Sequence, residues 1–163
     1  MVVELITEII DTKEGNEMIT ESHYQTKLKI FISQPMSGLS NEEILEFRKL
    51  AINNLDRMEE KYNQFYSDHK VKFEYIDNTQ FDVVKTPLGY MAKDVELMDT
   101  ADIVYFSDGW ENSRGCNVEY ALCKNYNKHM IFGCSLGVIM GSLHTIVTDN
   151  FKKVQKEKED SNN

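Results

Sequence analysis

An open α/β sheet is the fold class this sequence predicts: doubly wound, mostly parallel, four or five strands, with helices flanking it. Three observations carry that expectation. Short β-branched or aromatic runs alternate with stretches of helical periodicity between residues 27 and 150. Two of the helical stretches open on clear start signals. One run, residues 102–107 (DIVYFS), is apolar nearly throughout, as a strand covered on both faces is.

The elements follow in order. Residues 1–26 are polar and irregular after a short apolar stretch and read as an N-terminal extension outside the main fold, holding at most one short helix. Residues 27–33 (KLKIFIS), stopped by Gln34-Pro35, form the first strand. Ser40 stands three residues before Glu43, a capping box. After it Ile44, Phe47, Ala51, Leu55, Met58 and Tyr62 recur at helical spacing. Residues 71–77 (VKFEYID) are the second strand. Thr86-Pro87 starts a helix, with Thr as cap and Pro in the first turn, and Tyr90, Val95, Leu97 and Met98 supply its apolar face. Residues 102–107 form the third strand, 115–126 a helix, 129–132 the fourth strand, and 143–148 a candidate fifth. The domain runs over 27–150, and 151–163 is a polar C-terminal tail that frays. Strands joined by helices pair in parallel through right-handed crossovers, which gives a flavodoxin- or Rossmann-like sheet.

Composition excludes several classes. The chain has 163 residues, 41% of them hydrophobic, enough for one core. No apolar run approaches a bilayer span, so no membrane partner is expected. The net charge is −9, from 27 acids and 18 bases, and only three of the bases are arginines. That average field repels a nucleic-acid polymer, while a small anion can still be held locally. The first residues mix acids with apolar side chains and lack the basic leader of a secretion signal. Three cysteines, Cys116, Cys123 and Cys134, match no zinc spacing. Their odd number points to a reducing compartment, the cytoplasm. Cys116 and Cys123 are seven apart, share a helix face, and read as small buried hydrophobes.

Sheets of this kind bind ligands past the carboxyl ends of their strands. The loop at 33–39 (Ser33, Gln34, Pro35, Met36, Ser37, Gly38, Leu39) leads into the capped helix and exposes N–H groups at its positive end. It is either a phosphate- or sugar-binding loop or an ordinary βα turn, and it lacks the P-loop and dinucleotide glycine patterns. Asp77, Asn78 and Gln80 either pair with a nucleobase edge or make turn hydrogen bonds. The loop at 107–115 holds the only Trp, Trp110, with Ser113, Arg114 and Gly115. Trp110 either stacks on a base or packs the loop onto its helix. Glu119, near the start of the next helix, is either a good helix opener or a site carboxylate. Asp94 lies on the inner face of its helix, where an acid needs a buried donor or a site. Two carboxylates converging on one cleft are the apparatus of glycosyl transfer.

The run from Asp94 through Ala101-Asp102 to Ser113, Gly115 and Glu119-Tyr120-Ala121, with the first loop at 33–38, resembles the nucleoside 2-deoxyribosyltransferase superfamily. The nearest group there is bacterial and phage-derived, close to the 2′-deoxynucleoside 5′-monophosphate N-glycosidases. The likeness covers roughly residues 27–133. It implies that Glu119 attacks C1′ of a sugar and that Asp94 assists departure of the base. It implies that the first loop, with Asn78 or Gln80, binds sugar and base. Ser113 stands where nucleoside transferases carry an acid, as in the nucleotide hydrolases, so Ser113 and Arg114 are expected at a 5′-phosphate. Relatives share their sites across subunits, which implies a homo-oligomer, a dimer or higher. Ser135, Ser142 and His144 are available to complete such a site.

The leading expectation is therefore an enzyme that cleaves the N-glycosidic bond of a nucleoside 5′-monophosphate or nucleoside, with no metal or organic cofactor. Two alternatives stand beside it: a non-catalytic protein that senses or sequesters a nucleotide, and a base-exchanging deoxyribosyltransferase. A purely structural domain would hold Asp94 and Glu119 far apart.

Overall fold

The computed structural model describes residues 2–11, 18–79, 86–133 and 136–161. They form a mixed, mostly parallel five-stranded sheet with helices on both faces. In chain order the elements are β1 (Val2–Asp11), β2 (Met18–Ser33), α1 (Asn41–Phe65), β3 (His69–Tyr75), α2 (Pro87–Thr100), β4 (Ile103–Phe106), α3 (Arg114–Asn125), β5 (His129–Phe132) and α4 (Leu136–Ser161). A 3₁₀ turn, Trp110–Asn112, lies between β4 and α3.

β2 is the spine of the sheet. β3 pairs parallel with its residues Tyr24 to Ile30 along one edge. The opposite edge is shared in succession, by β1 antiparallel from Met18 to Lys27 and by β4 parallel from Ile30 to Ser33. β5 then pairs parallel with β4. The parallel strands thus run β3, β2, β4, β5, and sheet growth reverses direction at β2. The crevice past the ends of β2 and β4 is the switch point where such sheets hold ligands.

The period-two alternation of β2 and β4 divides the core. Leu28, Ile30 and Ile32, with Ile103 and Tyr105, pack under α1 and α4. Phe31, Val104 and Phe106 pack with Met98 of α2 and Cys123 of α3. Ser33 shares the Phe31 face, so its hydroxyl is directed to the side that α2 and α3 cover.

The expected start signals are present. Ser40 and Glu43 close a reciprocal capping box on α1, and Thr86 caps α2 with Pro87 in its first turn. Cys116 and Cys123 are buried free thiols, whereas Cys134 lies outside the described residues. No helix among the described residues is long and apolar enough to cross a membrane.

The structure corrects three expectations. Residues 2–11 and 18–26 hold no helix; they are paired strands, and they extend the sheet from residue 27 back to Met18. Val2, Val3, Ile6, Thr7, Ile9 and Ile10 are β-branched, a composition that favours strand over helix. His23 and Thr26 of β2, on opposite faces of the strand, are buried but polar, so no apolar alternation marks this part of the strand. Residues 143–148 form no strand but part of α4. Met140, Leu143, Val147, Phe151 and Val154 sit three and four apart, a helical period that a six-residue window conceals. The expected fraying tail also belongs to α4, which continues to Ser161, and Phe151 packs edge-on against Tyr24 and His69.

Candidate active site

Three side chains meet at the switch point. Glu119 lies on the buried stripe Cys116, Glu119, Cys123 of α3, and Asp94 on the stripe Asp94, Met98 of α2. Met98 and Cys123 anchor both stripes in the same core cluster. Each carboxylate stands about one turn nearer the carboxyl edge of the sheet than its anchor. Asp94 and Glu119 are each only 5% exposed, and their carboxyl groups hydrogen-bond each other. Ser33 Oγ donates to Glu119 Oε2 at 2.5 Å. The two acids are therefore neither far apart nor on different faces.

Burial raises both carboxyls, Asp94 to about 6 and Glu119 to about 7. For Glu119 the Ser33 hydroxyl works against burial, while the charge of Asp94 and the hydrogen bond to it work with burial. For Asp94 the Asn78 amide, Glu119 and the Arg48 guanidinium all favour the charged form. Two acids in contact cannot both ionise freely, so the pair holds one proton near neutral pH.

A cavity of about 740 Å³ opens above the pair. Three helix starts converge on it: Asn41 of α1, Thr86 and Pro87 of α2, and Ser113, Arg114 and Gly115 of α3. Ser113 is the α3 cap and accepts from the Cys116 N–H at 3.4 Å. Three converging N-termini and one guanidinium bring positive groups to this mouth within a chain of negative net charge. Ile44, Leu88, Met91 and Val118 supply apolar wall of the kind that takes a flat ring. The Cys116 thiol also lines the cavity, but burial raises its pKa, so it is no thiolate nucleophile at neutral pH. Among the described residues no group of three His, Cys, Asp or Glu could hold a metal ion.

Of the expected site residues, Gln34, Met36, Ser37, Asp94, Ser113, Arg114, Gly115 and Glu119 line the cavity, and Ser33 reaches it through Glu119. Pro35 and Gly38 shape the first loop without lining it. Gly38 sits at φ +84°, which favours glycine, and the Leu39 N–H closes a turn on Met36 O. Asn78 lies beside Asp94 instead of on the wall, donating to Ile32 O at 3.3 Å. Asp77 accepts from the backbone and hydroxyl of Thr79, an ordinary turn. Gln80 and Ser135 lie outside the described residues.

One expectation changes. Trp110 does not line the cavity; it packs, half-buried, among Phe106, Tyr120 and Phe132, holding the loop against the core. His144 stacks on Tyr66 within the α1–α4 packing, away from this chain's own cavity.

Arg48 is the residue that sequence reading missed. The periodic face of α1 was expected to include Phe47, but Phe47 is half exposed and Arg48 takes the inward position. Its guanidinium donates to Asn78 Oδ1 at 2.5 Å and to the Ile76 carbonyl. Asn78 in turn steadies Asp94. The signal was present: Ile44, Arg48, Ala51 and Leu55 are spaced four, three and four apart, and a charge on such a stripe needs a buried partner.

A family model described as a domain of unknown function (DUF4406) matches residues 28–132. The matched span begins within β2, ends with β5, and contains both carboxylates and the loops around them. No curated protein and no solved structure matches the chain.

Proposed function

The chain belongs to the DUF4406 family, and we propose that it is a cytoplasmic enzyme that cleaves the N-glycosidic bond of a nucleoside 5′-monophosphate. The observation that carries the reading is the contact between two buried carboxyls, one backed by Ser33 and the other by Asn78, at the floor of a cavity rimmed by helix N-termini. The pair is too close for the water that an inverting pair seats across roughly 6.5–9.5 Å, and closer also than the roughly 5–5.5 Å of a retaining pair, so the covalent route rests on Glu119, held by Ser33, as the nucleophile.

The chemistry runs in two steps. The proton that the pair shares lies on Asp94 when the reaction starts, across the hydrogen bond they already make. A Glu119 carboxylate oxygen then attacks C1′ as the bond from C1′ to the base nitrogen breaks. The bonding pair leaves with the base, which takes the proton from Asp94. Water next attacks C1′ of the glycosyl ester, Asp94 takes the water's proton, and Glu119 departs as a carboxylate. Ser33 holds the attacking oxygen and stabilises its charge. The positive mouth at Ser113 and Arg114 suits the 5′-phosphate, where a hydroxyl and a guanidinium accept an anion. The cavity volume, about 740 Å³, suits a ligand of nucleotide size.

Base release over a panel of ribo- and deoxyribonucleoside 5′-monophosphates, with nucleosides as controls, tests the reading. Free base from wild type but not from Glu119→Ala supports it. Tight binding without turnover across the panel makes the protein a nucleotide binder, and base exchange in preference to hydrolysis makes it a transferase.

A further inference from the structure

We infer that Arg48 is a positioning residue for the carboxyl pair: through Asn78 it aims Asp94, and it supplies the buried positive charge that balances the one negative charge the pair carries. Its effect on base release rests on the reading above, whereas the charge balance rests on the geometry of the site.

Arg48 is 7% exposed and does not line the cavity, so it acts on a ligand only through other groups. Its guanidinium donates to Asn78 Oδ1 at 2.5 Å and to the Ile76 carbonyl, and both acceptors are neutral. A buried cation on neutral acceptors calls for a countercharge. Two carboxylates act on it, Asp77 first and Asp94 second. Asp77 is exposed and accepts from Thr79, so water screens its charge. Asp94 is buried, and it is the countercharge inside the fold.

Asn78 joins the two. Arginine has donors only, so the Asn78 oxygen faces Arg48, and its nitrogen is left to serve Ile32 O and Asp94. Arg48 thereby fixes which end of the amide Asp94 meets. Asp94 also faces Glu119 of α3, and Glu119 faces Ser33 of β2, with the neutral thiols of Cys116 and Cys123 beside it. Among these groups Arg48 is the cation. A pair that holds one proton carries one negative charge, and Arg48 returns the buried cluster to neutrality. Without that charge the pair takes up a second proton more readily, and Glu119 then has no carboxylate with which to attack.

The test is kcat/KM for base release against pH, from 5 to 9, for wild type, Arg48→Met and Arg48→Lys, on the nucleoside 5′-monophosphate that the panel shows to be cleaved fastest. Arg48→Met should move the acidic limb of the profile up by about one unit, so that activity falls about tenfold on that limb and recovers at alkaline pH. Arg48→Lys keeps the charge and should leave the limb in place. A loss of equal size at every pH in Arg48→Met, or the same shift in Arg48→Lys, overturns the inference, because shape and not charge would then be what Arg48 supplies. Should Arg48→Met fail to fold, Asn78→Ala cuts the link instead; an upward shift of the limb supports the inference and an unmoved limb overturns it. If no nucleotide is cleaved, the nucleotide reading falls, and the charge balance is read from urea unfolding. The stability of Arg48→Met, or of Asn78→Ala in its place, should drop relative to wild type as pH rises from 5 to 8, because its pair is the harder to ionise in the fold. A difference that stays constant over that range overturns the inference.

Discussion

Glu119→Gln should make the protein more stable at alkaline pH while abolishing base release. The substitution is nearly isosteric. A glutamine carbonyl can still accept from Ser33, and its amide can donate to Asp94, so neither hydrogen bond of the site is lost. What disappears is a carboxyl that burial holds at about 7 against an ordinary 4.5. Because the folded-state value is raised, the native protein binds the proton more tightly than the unfolded chain. Stability therefore falls as pH rises from about 4.5 to about 7, and stays low above that. At 1.36 kcal/mol per pH unit the penalty is about 3 kcal/mol at most, and about 1–3 kcal/mol allowing for relaxation around the charge. The assay is urea unfolding of wild type and variant at several values between pH 5 and 9. The two should coincide near pH 5 and separate by about 1–3 kcal/mol above pH 8, with the variant the more stable. Parallel curves across that range would refute the reasoning, because Glu119 would then lack the buried, proton-holding environment on which its role depends.

Other expectations concern the groups around the pair. Ser33→Ala removes the donor to Glu119, so the pH at which Glu119 ionises should move upward and kcat/KM should fall by about tenfold to a hundredfold; a pH–rate profile checks both. Asn78→Ala withdraws a hydrogen bond that favours ionised Asp94 and leaves the buried Arg48 with one partner fewer. It should raise the pKa of Asp94 in the same profile and cost about 1–3 kcal/mol in unfolding experiments. Trp110→Ala opens the aromatic cluster at Phe106, Tyr120 and Phe132, so it should cost about 2–4 kcal/mol of stability and leave the KM for substrate little changed. A large KM effect at unchanged stability would return Trp110 to the site.

Much of the fold and the floor of the site could be read from residue order alone, for physical reasons. The parallel core was visible because strands covered on both faces are continuously apolar, as in residues 102–107, and because Ser40 and Thr86 cap in the way their spacing dictates. Asp94 and Glu119 were visible because an acid on an inner stripe is costly unless it has work to do. The hairpin was not visible, since β2 beyond the core buries His23 and Thr26 and is paired by backbone bonds to β1, which side-chain periodicity does not report. Arg48 was hidden by its neighbour: Phe47 looked like the inward residue, yet the stripe through Ala51 and Leu55 turns position 48 inward. Trp110 was ambiguous because an aromatic ring on a site loop serves either a ligand or the core, and only the positions of Phe106 and Phe132 decide.

The most direct test of the account is mass spectrometry of the protein quenched during turnover of a nucleoside 5′-monophosphate. The account predicts a covalent sugar-phosphate adduct on the peptide that carries Glu119, absent from Glu119→Gln. Base release with no adduct, together with a sugar product of inverted anomeric configuration, would contradict it.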